Sequence, residues 1–499
     1  MNIAFKKFAL CISIFLFMLI SINAQNEVDA LRFSELDWQG TARFMGAGKA
    51  FGAVGAEFSA LNTNPASIGL YKKSEITFTP MTLSIINSRS GYNGTFALAQ
   101  GVKYNIGSAG IVMALPGISS TLWKKIQIGF GFNRIKNYNN IFNMEGRSNG
   151  FTIGSVYAEK AEGLDYRDVS NEEIWSDEMW LAWEYWLISP KSGSYTSYDP
   201  TLAGVGTLHA STVIQTGGND EMIFSLGTNY DDKLFLGATI GVPFIKFTEN
   251  RTFREVNDKK DTVYNFQNLR IEDKLSVRST GINLKLGIIY QPFDFLRIGI
   301  AFHTPTYYGN VRDYFERQMY AKKWEYNDVS KLREFSNDEI KYVNKFNYSL
   351  TTPLRAMANV AFFIQQRAFI SAEYEFAGYG SATMYSINYN FLSENQTIQN
   401  MYGFCHIARI GAEINLSQAF ALRAGYNYIS SPYKNDINDG SKHYASLGLG
   451  FRTKIFYGDF AYALTTSKEK YWMYDPLFVN AANNKFITHR IMLTMGVRF

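Results

Sequence analysis

Cationic side chains in the second half of the chain have the chemistry to bind the carboxylate of an amphipathic ligand. A guanidinium offers paired N–H donors that match the two oxygens of a carboxylate. The cations are Lys285, Arg297, Arg355, Arg409 and Arg423. The alternative is an internal network of ion pairs, because acidic residues occur in the same segments in nearly equal number. The acids are Glu373, Glu375, Glu413 and Asp459. We favour the network and keep Arg297, Arg355 and Arg423 as candidate ligand-binding residues.

A second candidate site is the aromatic segment between residues 172 and 187. Trp175, Met179, Trp183 and Trp186 recur there at helical spacing, with acidic residues between them. The spacing predicts an amphipathic helix whose apolar face collects a hydrophobic ligand. The alternative is a helix whose aromatic face packs on neighbouring loops or on lipid headgroups. Both interpretations stay open for these four residues.

The remaining chemistry-bearing residues do not form a site. The five histidines, at positions 209, 303, 406, 443 and 489, are dispersed without metal-ligand spacing and without a partner nucleophile. We therefore predict no catalytic residues, no metal site and no cofactor. Cys405 is the one cysteine after the first 24 residues and is interpreted as a packing residue. A net charge of +5 over 499 residues gives no reason to predict a nucleic-acid partner.

Alternating hydrophobicity places the cations on one face of β-strands. Apolar residues occupy every second position in several segments, and the ionisable residues of these segments fall on the opposite parity. An Arg or Lys that faces lipid in the middle of a bilayer costs roughly 2–4 kcal/mol, whereas one that faces a wet lumen costs little. The last residues, 491–499, alternate in the same way and end on Phe499. The pattern predicts a β-barrel with an apolar outer face and charged side chains inside.

The connections indicate the size of this barrel. Short turns alternate with long polar excursions, and no run of 18 apolar residues follows the first 24 residues, which excludes a helical membrane protein. The excursions cover roughly residues 141–207, 250–275, 305–346, 379–400, 431–442 and 466–485. We predict an all-β, 14-stranded antiparallel transmembrane barrel over residues 74–499, with long extracellular loops and both ends in the periplasm.

The amino terminus agrees with an outer-membrane location in a Gram-negative bacterium. Lys6 and Lys7 precede a short apolar run, and small residues end at Ala24, so residues 1–24 are predicted to be a signal peptide. Residues 25–73 precede all predicted strands. Because a barrel of this size is a water-filled pore when left open, we expect this segment to fold into the lumen as a hatch that plugs it.

The hatch segment carries a resemblance to a known family. Residues 46–52 (Gly-Ala-Gly-Lys-Ala-Phe-Gly), followed by Asn64-Pro65-Ala66 and Gly69, resemble the hatch of the FadL family of outer-membrane transporters. Three later segments are also similar, at residues 296–305, 352–355 and 422–432. The plain interpretation of Asn-Pro-Ala is a turn that Asn caps and Pro fixes. The functional interpretation is that this turn anchors the hatch, so that its movement opens a path.

The resemblance implies passive uptake of hydrophobic small molecules such as long-chain fatty acids, with release gated by the hatch. The expected partners are a hydrophobic ligand and the lipid of the outer membrane. A different function is also open, in which the barrel is an accessory or shuttle protein of a secretion system and binds a protein partner. A haemin-type receptor is a third interpretation.

Overall fold

The computed structural model describes residues 27–117, 122–169, 171, 174–258, 265–327, 332–365 and 367–499. The predicted signal peptide lies outside the described residues. The strands are β1 (Glu75–Tyr92), β2 (Thr95–Asn105), β3 (Ser108–Pro116), β4 (Trp123–Asn137), β5 (Asn140–Arg147), β6 (Ile188–Pro190), β7 (Tyr198–Pro200), β8 (Leu208–Tyr230), β9 (Leu234–Val256), β10 (Phe266–Phe293), β11 (Leu296–His303), β12 (Tyr307–Asn327), β13 (Leu332–Thr351), β14 (Arg355–Ile364), β15 (Ala368–Gly378), β16 (Thr383–Tyr385), β17 (Phe404–Asn415), β18 (Phe420–Ile429), β19 (Lys442–Arg452), β20 (Phe456–Tyr471) and β21 (Ala482–Arg498).

Helices are few and short in the described part of the chain. The α-helices are α1 (Glu27–Ser34), α2 (Ala42–Gly46), α3 (Gly154–Ala161), α4 (Asp177–Glu184) and α5 (Leu392–Met401). The 3-10 helices are Phe58–Asn62, Pro65–Leu70, Tyr166–Asp168 and Tyr379–Ser381. None of the helices in the described ranges has the length and apolar character needed to cross a bilayer.

The strands form a closed barrel. Nineteen of them belong to one sheet, which β1 closes by pairing with β21, while β6 and β7 form a separate small sheet. Five wall strands are each built from two consecutive segments, so the nineteen segments make fourteen wall strands. The split strands are β2/β3, β4/β5, β11/β12, β13/β14 and β15/β16. The predicted 14-stranded antiparallel barrel is confirmed.

The two faces of the wall differ as the alternation predicted. Along β10, Lys285 is 2% exposed whereas its neighbour Leu286 is 46% exposed, because Lys285 faces the lumen and Leu286 faces outward. Arg355 and Arg423 are also buried on the inner face. The short turns lie at the same end of the barrel as the carboxyl terminus, which identifies this end as periplasmic.

The extracellular end differs from the expectation of long loops in two places. The predicted excursion at residues 250–275 is wrong over most of its length, because β9 continues to Val256 and β10 begins at Phe266. Residues 305–346 are not an irregular excursion, because β12 and β13 continue the wall as a paired hairpin. Strands β8, β9 and β10, of 23, 23 and 28 residues, are also longer than the ~10 residues that a tilted strand needs to span a bilayer. Outside the bilayer both faces contact water, so the ladder continues without the apolar alternation that marks a membrane strand.

Residues 27–73, hereafter the plug, lie inside the barrel. From Gly40 to Gly69 all of its residues except Ala56 are buried. Buried apolar residues of this part, including Phe44 and Phe51, pack with inward-facing wall residues such as Tyr444. The fold thus places the predicted hatch motif against the inner wall of the barrel.

Candidate functional site

The Asn-Pro-Ala turn of the plug is shaped by its own residues. The side-chain Oδ1 of Asn64 accepts a hydrogen bond from the backbone N–H of Ala66 at 3.1 Å and so caps the 3-10 helix Pro65–Leu70. Pro65 occupies the first helical position, where its missing N–H costs nothing. The Asn64 Nδ2 donates to the side chain of Asn359 on the wall, at 3.2 Å. The turn is therefore both rigid and bonded to the barrel.

A row of glycines on the wall receives this turn. Gly227, Gly237 and Gly287 stand directly opposite one another on β8, β9 and β10. A Cβ added at Gly287 would lie 2.0 Å from Asn64 Oδ1, and one at Gly237 would lie 2.3 Å from the carbonyl oxygen of Pro65. Only glycine at these positions lets the turn approach the wall backbone this closely. We call this row the first glycine seat.

A second glycine seat holds the other predicted hatch sequence. Gly411 and Gly425 face each other on β17 and β18. A Cβ on Gly425 would lie 2.1 Å from the backbone N of Gly48, and one on Gly411 would lie 2.1 Å from the carbonyl oxygen of Ala47. The glycine of the motif itself, Gly69, has equally little space, since its added Cβ would lie 2.7 Å from a wall carbonyl oxygen. Plug and wall thus meet backbone to backbone in two places.

Buried ion pairs join the wall strands beside these seats. Glu375 on β15 accepts hydrogen bonds from Arg355 on β14 and from Arg409 on β17, and Arg409 also binds Glu373. All four side chains are at most 5% exposed. Glu373 in turn accepts a bond from the backbone N–H of Gly52 in the plug, at 3.1 Å. The ion-pair interpretation of Arg355 is supported, because its guanidinium has a carboxylate partner on the wall.

Arg423 is held in the same manner. Its Nε lies 2.6 Å from Glu413 and its Nη1 lies 2.7 Å from Asp459. Arg43 of the plug binds the same Glu413 with two N–H groups, at 2.9 and 3.1 Å. Arg423 therefore steadies a wall carboxylate that holds the plug, and Arg355 contacts the plug directly through the carbonyl oxygen of Ser34, at 2.6 Å.

Arg297 differs from the other two candidate arginines. Its Nη1 donates to the carbonyl oxygen of Val54 in the plug at 2.7 Å, its Nε donates to Gln291 at 2.8 Å, and its guanidinium lies over the ring of Phe363 at 4.4 Å. Among the ion pairs of the described residues none includes Arg297. It lines a cavity of about 460 Å³ at the periplasmic end, together with the acids Glu75 and Glu413 and five other cations. These cations are Arg43, Lys72, Lys73, Arg452 and Arg498.

The four aromatic-segment residues do not share one helical face. Helix α4 covers only residues 177–184, so Trp175 lies before it and Trp186 lies after it. Trp175 is buried, Met179 and Trp183 are half-buried, and Trp186 is 46% exposed. Trp186 adopts a left-handed backbone conformation, with φ +59°. Its N–H donates to the carbonyl oxygen of Trp183, and the N–H of Leu187 donates to that of Ala182. These two bonds end the helix.

This segment forms an aromatic cap at the extracellular end of the lumen. The ring of Trp183 stacks on Tyr166 with centroids 5.1 Å apart and planes 11° apart. The edges of Trp175 and Tyr198 meet the same indole. The cluster continues into the barrel through inward-facing wall residues such as Phe253. The packing alternative of the sequence analysis therefore describes Trp175 and Trp183, while Trp186 keeps an exposed apolar surface.

Below the cap, helix α1 occupies an apolar compartment in the lumen. Its Phe33 ring packs edge to face with Tyr138 and Phe247, both at 6.0 Å between centroids. Leu31 and wall residues such as Val277 belong to the same buried cluster. The compartment is lined mainly by apolar and aromatic groups. It also contains Arg32, which pairs with the buried Asp29 of the same helix and lies 3.7 Å from Glu249 on β9.

The wall beside this compartment lacks part of its backbone ladder. Strand β3 pairs with β4 up to Ser108 and Asn133, but no ladder in the described residues joins β2 to β5, although both strands are described in full. Instead β5 passes behind β2, and a Cβ added at Gly101 would lie 3.9 Å from that of Ile141. The Asn143 side chain bridges the two strands by donating to the carbonyl oxygen of Leu98, at 3.1 Å. We call this region the wall break.

The plug borders the wall break directly. The backbone N–H groups of Asp37 and Gln39 donate to the carbonyl oxygens of Ile135 and Arg134 on β4, both at 2.9 Å. The plug therefore takes the place that a neighbouring wall strand would occupy at the end of β4. The next wall residue, Lys136, also binds Glu35 of the plug, at 2.8 Å.

Sequence reasoning missed the glycine seats and the wall break. The seats had a signal, because Gly227, Gly237 and Gly287 all fall on the lumen-facing parity of their strands. The wall break had none that we recognise, since residues 138–139 resemble an ordinary turn between strands. The histidines stay apart, and no group of three or more His, Cys, Asp or Glu in the described ranges could hold a metal ion.

A closed fourteen-stranded barrel with an apolar outer face and a plugged lumen defines a protein of the bacterial outer membrane. Its fold is that of a Pseudomonas aeruginosa FadL homologue, with a TM-score of 0.53 and 14% identity over 93% of this chain and 98% of that one. Other similar structures are the Pseudomonas putida toluene transporter TodX and the Ralstonia pickettii toluene transporter TbuX. Their TM-scores are 0.49 and 0.47, at 12% and 14% identity, covering 93% and 92% of this chain and 99% of each. No protein-family model and no curated protein sequence matches the chain.

Proposed function

We propose that this protein is an outer-membrane channel for the passive uptake of hydrophobic small molecules such as long-chain fatty acids. One observation carries the proposal. The apolar compartment around α1 lies beside the wall break, whereas the periplasmic end of the lumen is closed by buried ion pairs and backbone contacts. A ligand that enters through the aromatic cap thus meets an apolar site with a sideways exit, and no open path along the barrel axis.

Release is the difficult step of uptake, because a hydrophobic ligand binds tightly to an apolar compartment. Burying an acyl chain contributes about 0.8 kcal/mol of favourable binding free energy per methylene, so a chain of ~16 carbons contributes on the order of 10 kcal/mol. Phe33 and Leu31 of α1 already fill the compartment, and a ligand binds there only by displacing them. When α1 returns, it competes with the ligand for the same apolar surface. We infer that this exchange is the gating movement of the plug, and that the ligand leaves through the wall break into the bilayer.

The candidate ligand residues take different parts in this scheme. Trp186, exposed on the cap, is the first apolar contact for a ligand, and Met179, Trp183 and Trp175 form the cluster behind it. No carboxylate of the described residues pairs with Arg297, but it lies at the periplasmic end, away from the route through the wall break. We therefore give it no ligand contact in this scheme.

A disulfide across the wall break tests the route. The 3.9 Å between the Cβ positions of Gly101 and Ile141 is within the range of native disulfides. We propose Gly101→Cys with Ile141→Cys in a Cys405→Ala background, so that no other thiol of the described residues competes. Uptake of radiolabelled palmitate by Gram-negative cells that carry this chain as their only fatty acid transporter is the readout. Oxidation should reduce uptake at least tenfold, and a reductant should restore it.

The matched control places the same bond inside an intact ladder. Ser88 and Ala99 are directly opposite on β1 and β2, next to the break. A disulfide formed by Ser88→Cys with Ala99→Cys leaves the break unsealed and should leave uptake unchanged. Full uptake by the oxidised Gly101–Ile141 variant, with the cross-link complete by thiol titration, would rule out the lateral route.

A further inference from the structure

A row of like charges crosses three neighbouring strands on the outer face of the barrel. Lys485 on β21 stands directly opposite Arg89 on β1 and Lys468 on β20. All three side chains are exposed, and the ion pairs of the described residues include none of them. The guanidinium of Arg89 lies over the ring of Phe96 at 4.1 Å, which fixes its position on the surface. We call these three cations the outer cation row.

The outer cation row lies at the level of lipid headgroups. From Phe456, where β20 begins at the periplasmic end, to Lys468 the strand climbs about 30 Å along the barrel axis, at ~3.4 Å per residue and a tilt of ~40°. The apolar band of such barrels is about 25 Å tall. By the same measure Tyr462 lies about 16 Å and His489 about 10 Å below the row. The Tyr462 Oη and the His489 Nδ1 are 2.7 Å apart.

Two further pairs of the same type continue this level around the barrel. Tyr374 with His406 and Tyr426 with His443 have Oη–Nδ1 distances of 2.6 and 2.7 Å. Their side chains face outward, where the bilayer surrounds the wall. The three pairs therefore form a belt of Tyr–His contacts on the outer face, below the level of the outer cation row.

An apolar groove on the outer surface begins beside the Tyr462–His489 pair. It has a volume of about 590 Å³, and small side chains such as Ala424 and Ala445 form its floor. Tyr462 and Leu464 line its edge on β20, the strand that carries Lys468. In the membrane this groove is covered by hydrocarbon, so an acyl chain fits it.

Outward charges elsewhere at the extracellular end are arranged differently. On the β10–β13 side, Arg270 lies 3.2 Å from Glu272, and Lys341 lies 3.0 Å from Glu316. Signs alternate there, and the pairs neutralise one another. Like charges that stand directly opposite on neighbouring strands are destabilising. The outer cation row is thus a cost to the fold unless an anion is present.

We propose that the outer cation row binds the phosphate groups of a lipid of the outer leaflet, with an acyl chain of that lipid in the adjoining groove. Lysine and arginine side chains form charge-assisted hydrogen bonds with phosphate oxygens and attract anionic headgroups. Arg89 is directly opposite Leu98 on β2, the strand that borders the wall break, so the site adjoins the proposed exit. The proposal itself concerns how the barrel is held in its membrane.

Native mass spectrometry of the mature protein, titrated with bis-phosphorylated lipid A, tests the site. The variant Arg89→Gln with Lys468→Gln and Lys485→Gln should bind this lipid at least tenfold more weakly than the native chain. Lipid A without phosphates should bind the native chain at least tenfold more weakly as well. Inorganic phosphate at the same concentration should displace none of the bound lipid.

Two controls separate this site from a general effect of charge. Lys468→Arg with Lys485→Arg should keep the affinity, and Arg270→Gln with Lys341→Gln should leave it unchanged. The proposal is wrong if the triple variant binds as the native chain does, or if the β10–β13 variant loses as much affinity. Displacement by inorganic phosphate would also contradict it, since the site would then recognise a free anion.

Discussion

The two ends of the plug are held in the barrel by different forces. Around the glycine seats, directional polar contacts fix the plug, such as Arg43 on Glu413 and the backbone of Gly52 on Glu373. Around α1, aromatic and aliphatic packing such as Phe33 on Phe247 is combined with polar contacts, namely Arg32 near Glu249 and Arg355 on the carbonyl oxygen of Ser34.

This difference teaches which part of the plug can move. A buried ion pair cannot be replaced by an apolar ligand, because breaking it leaves an uncompensated charge in a region without water. An apolar contact can be replaced by any other apolar group of similar size, since the hydrophobic effect is non-directional. We therefore expect residues 42–70 to remain in place while α1 exchanges with the ligand.

The largest expected effect comes from the ion-pair network near the seats. Glu375→Leu leaves the guanidinium groups of Arg355 and Arg409 without their shared carboxylate, and should lower the free energy of unfolding by about 3–5 kcal/mol. Urea unfolding in lipid vesicles measures it. Lys341→Leu removes one partner of the exposed pair with Glu316 and should cost less than ~1 kcal/mol. Equal losses in the two variants would mean that the network does not fix the plug.

A smaller effect is expected when the first glycine seat is filled. Gly287→Ala places a methyl group against Asn64 and should lower the free energy of unfolding by about 1–3 kcal/mol. It should also make the plug accessible to proteases. Gly458→Ala is the matched control on the wall, because the nearest atom to its added Cβ is 3.9 Å away. A Gly287→Ala protein as stable as this control would show that the turn is not seated on the wall.

The part of the fold that lies in the bilayer was predictable from sequence. Because lipid lies on one side of the wall and a filled lumen on the other, apolar and polar residues alternate strictly along each strand. The burial of Lys285, Arg355 and Arg423 followed from this alternation alone. Their acidic partners were predictable as a set for the same reason. The hairpin of β12 and β13 was not, because outside the bilayer no solvent difference distinguishes its faces.

The plug and the cap were predictable only in part. The Asn64-Pro65-Ala66 turn is encoded locally, by capping and by the fixed φ of proline. Its location in the lumen depends on contacts with glycines more than 150 residues later in the chain. The alternation of apolar residues does not reveal which distant residues contact the turn. The helix over 172–187 was predicted from spacing, but hydrogen bonds at Trp186 end it early, and tertiary packing then decides which indoles are buried. The secretion and haemin interpretations stay untested predictions.

The smallest expected effect concerns the aromatic cap. Trp183→Ala removes the stacking on Tyr166 and should cost about 1 kcal/mol, seen as faster proteolysis within residues 148–207. Trp186→Ala should leave proteolysis unchanged, because this side chain is the most exposed of the four, but should slow palmitate uptake. Identical behaviour of the two variants in both assays would contradict the distinction between a packed and a ligand-facing indole.

Hydrogen exchange of the plug amides tests the central claim most directly. In the native chain, embedded in lipid, the amides of α1 should exchange at least tenfold faster than those of residues 42–70, and added palmitate should widen the difference. Exchange at one common rate along the whole plug, with or without palmitate, would contradict the account, because the two ends would then move together.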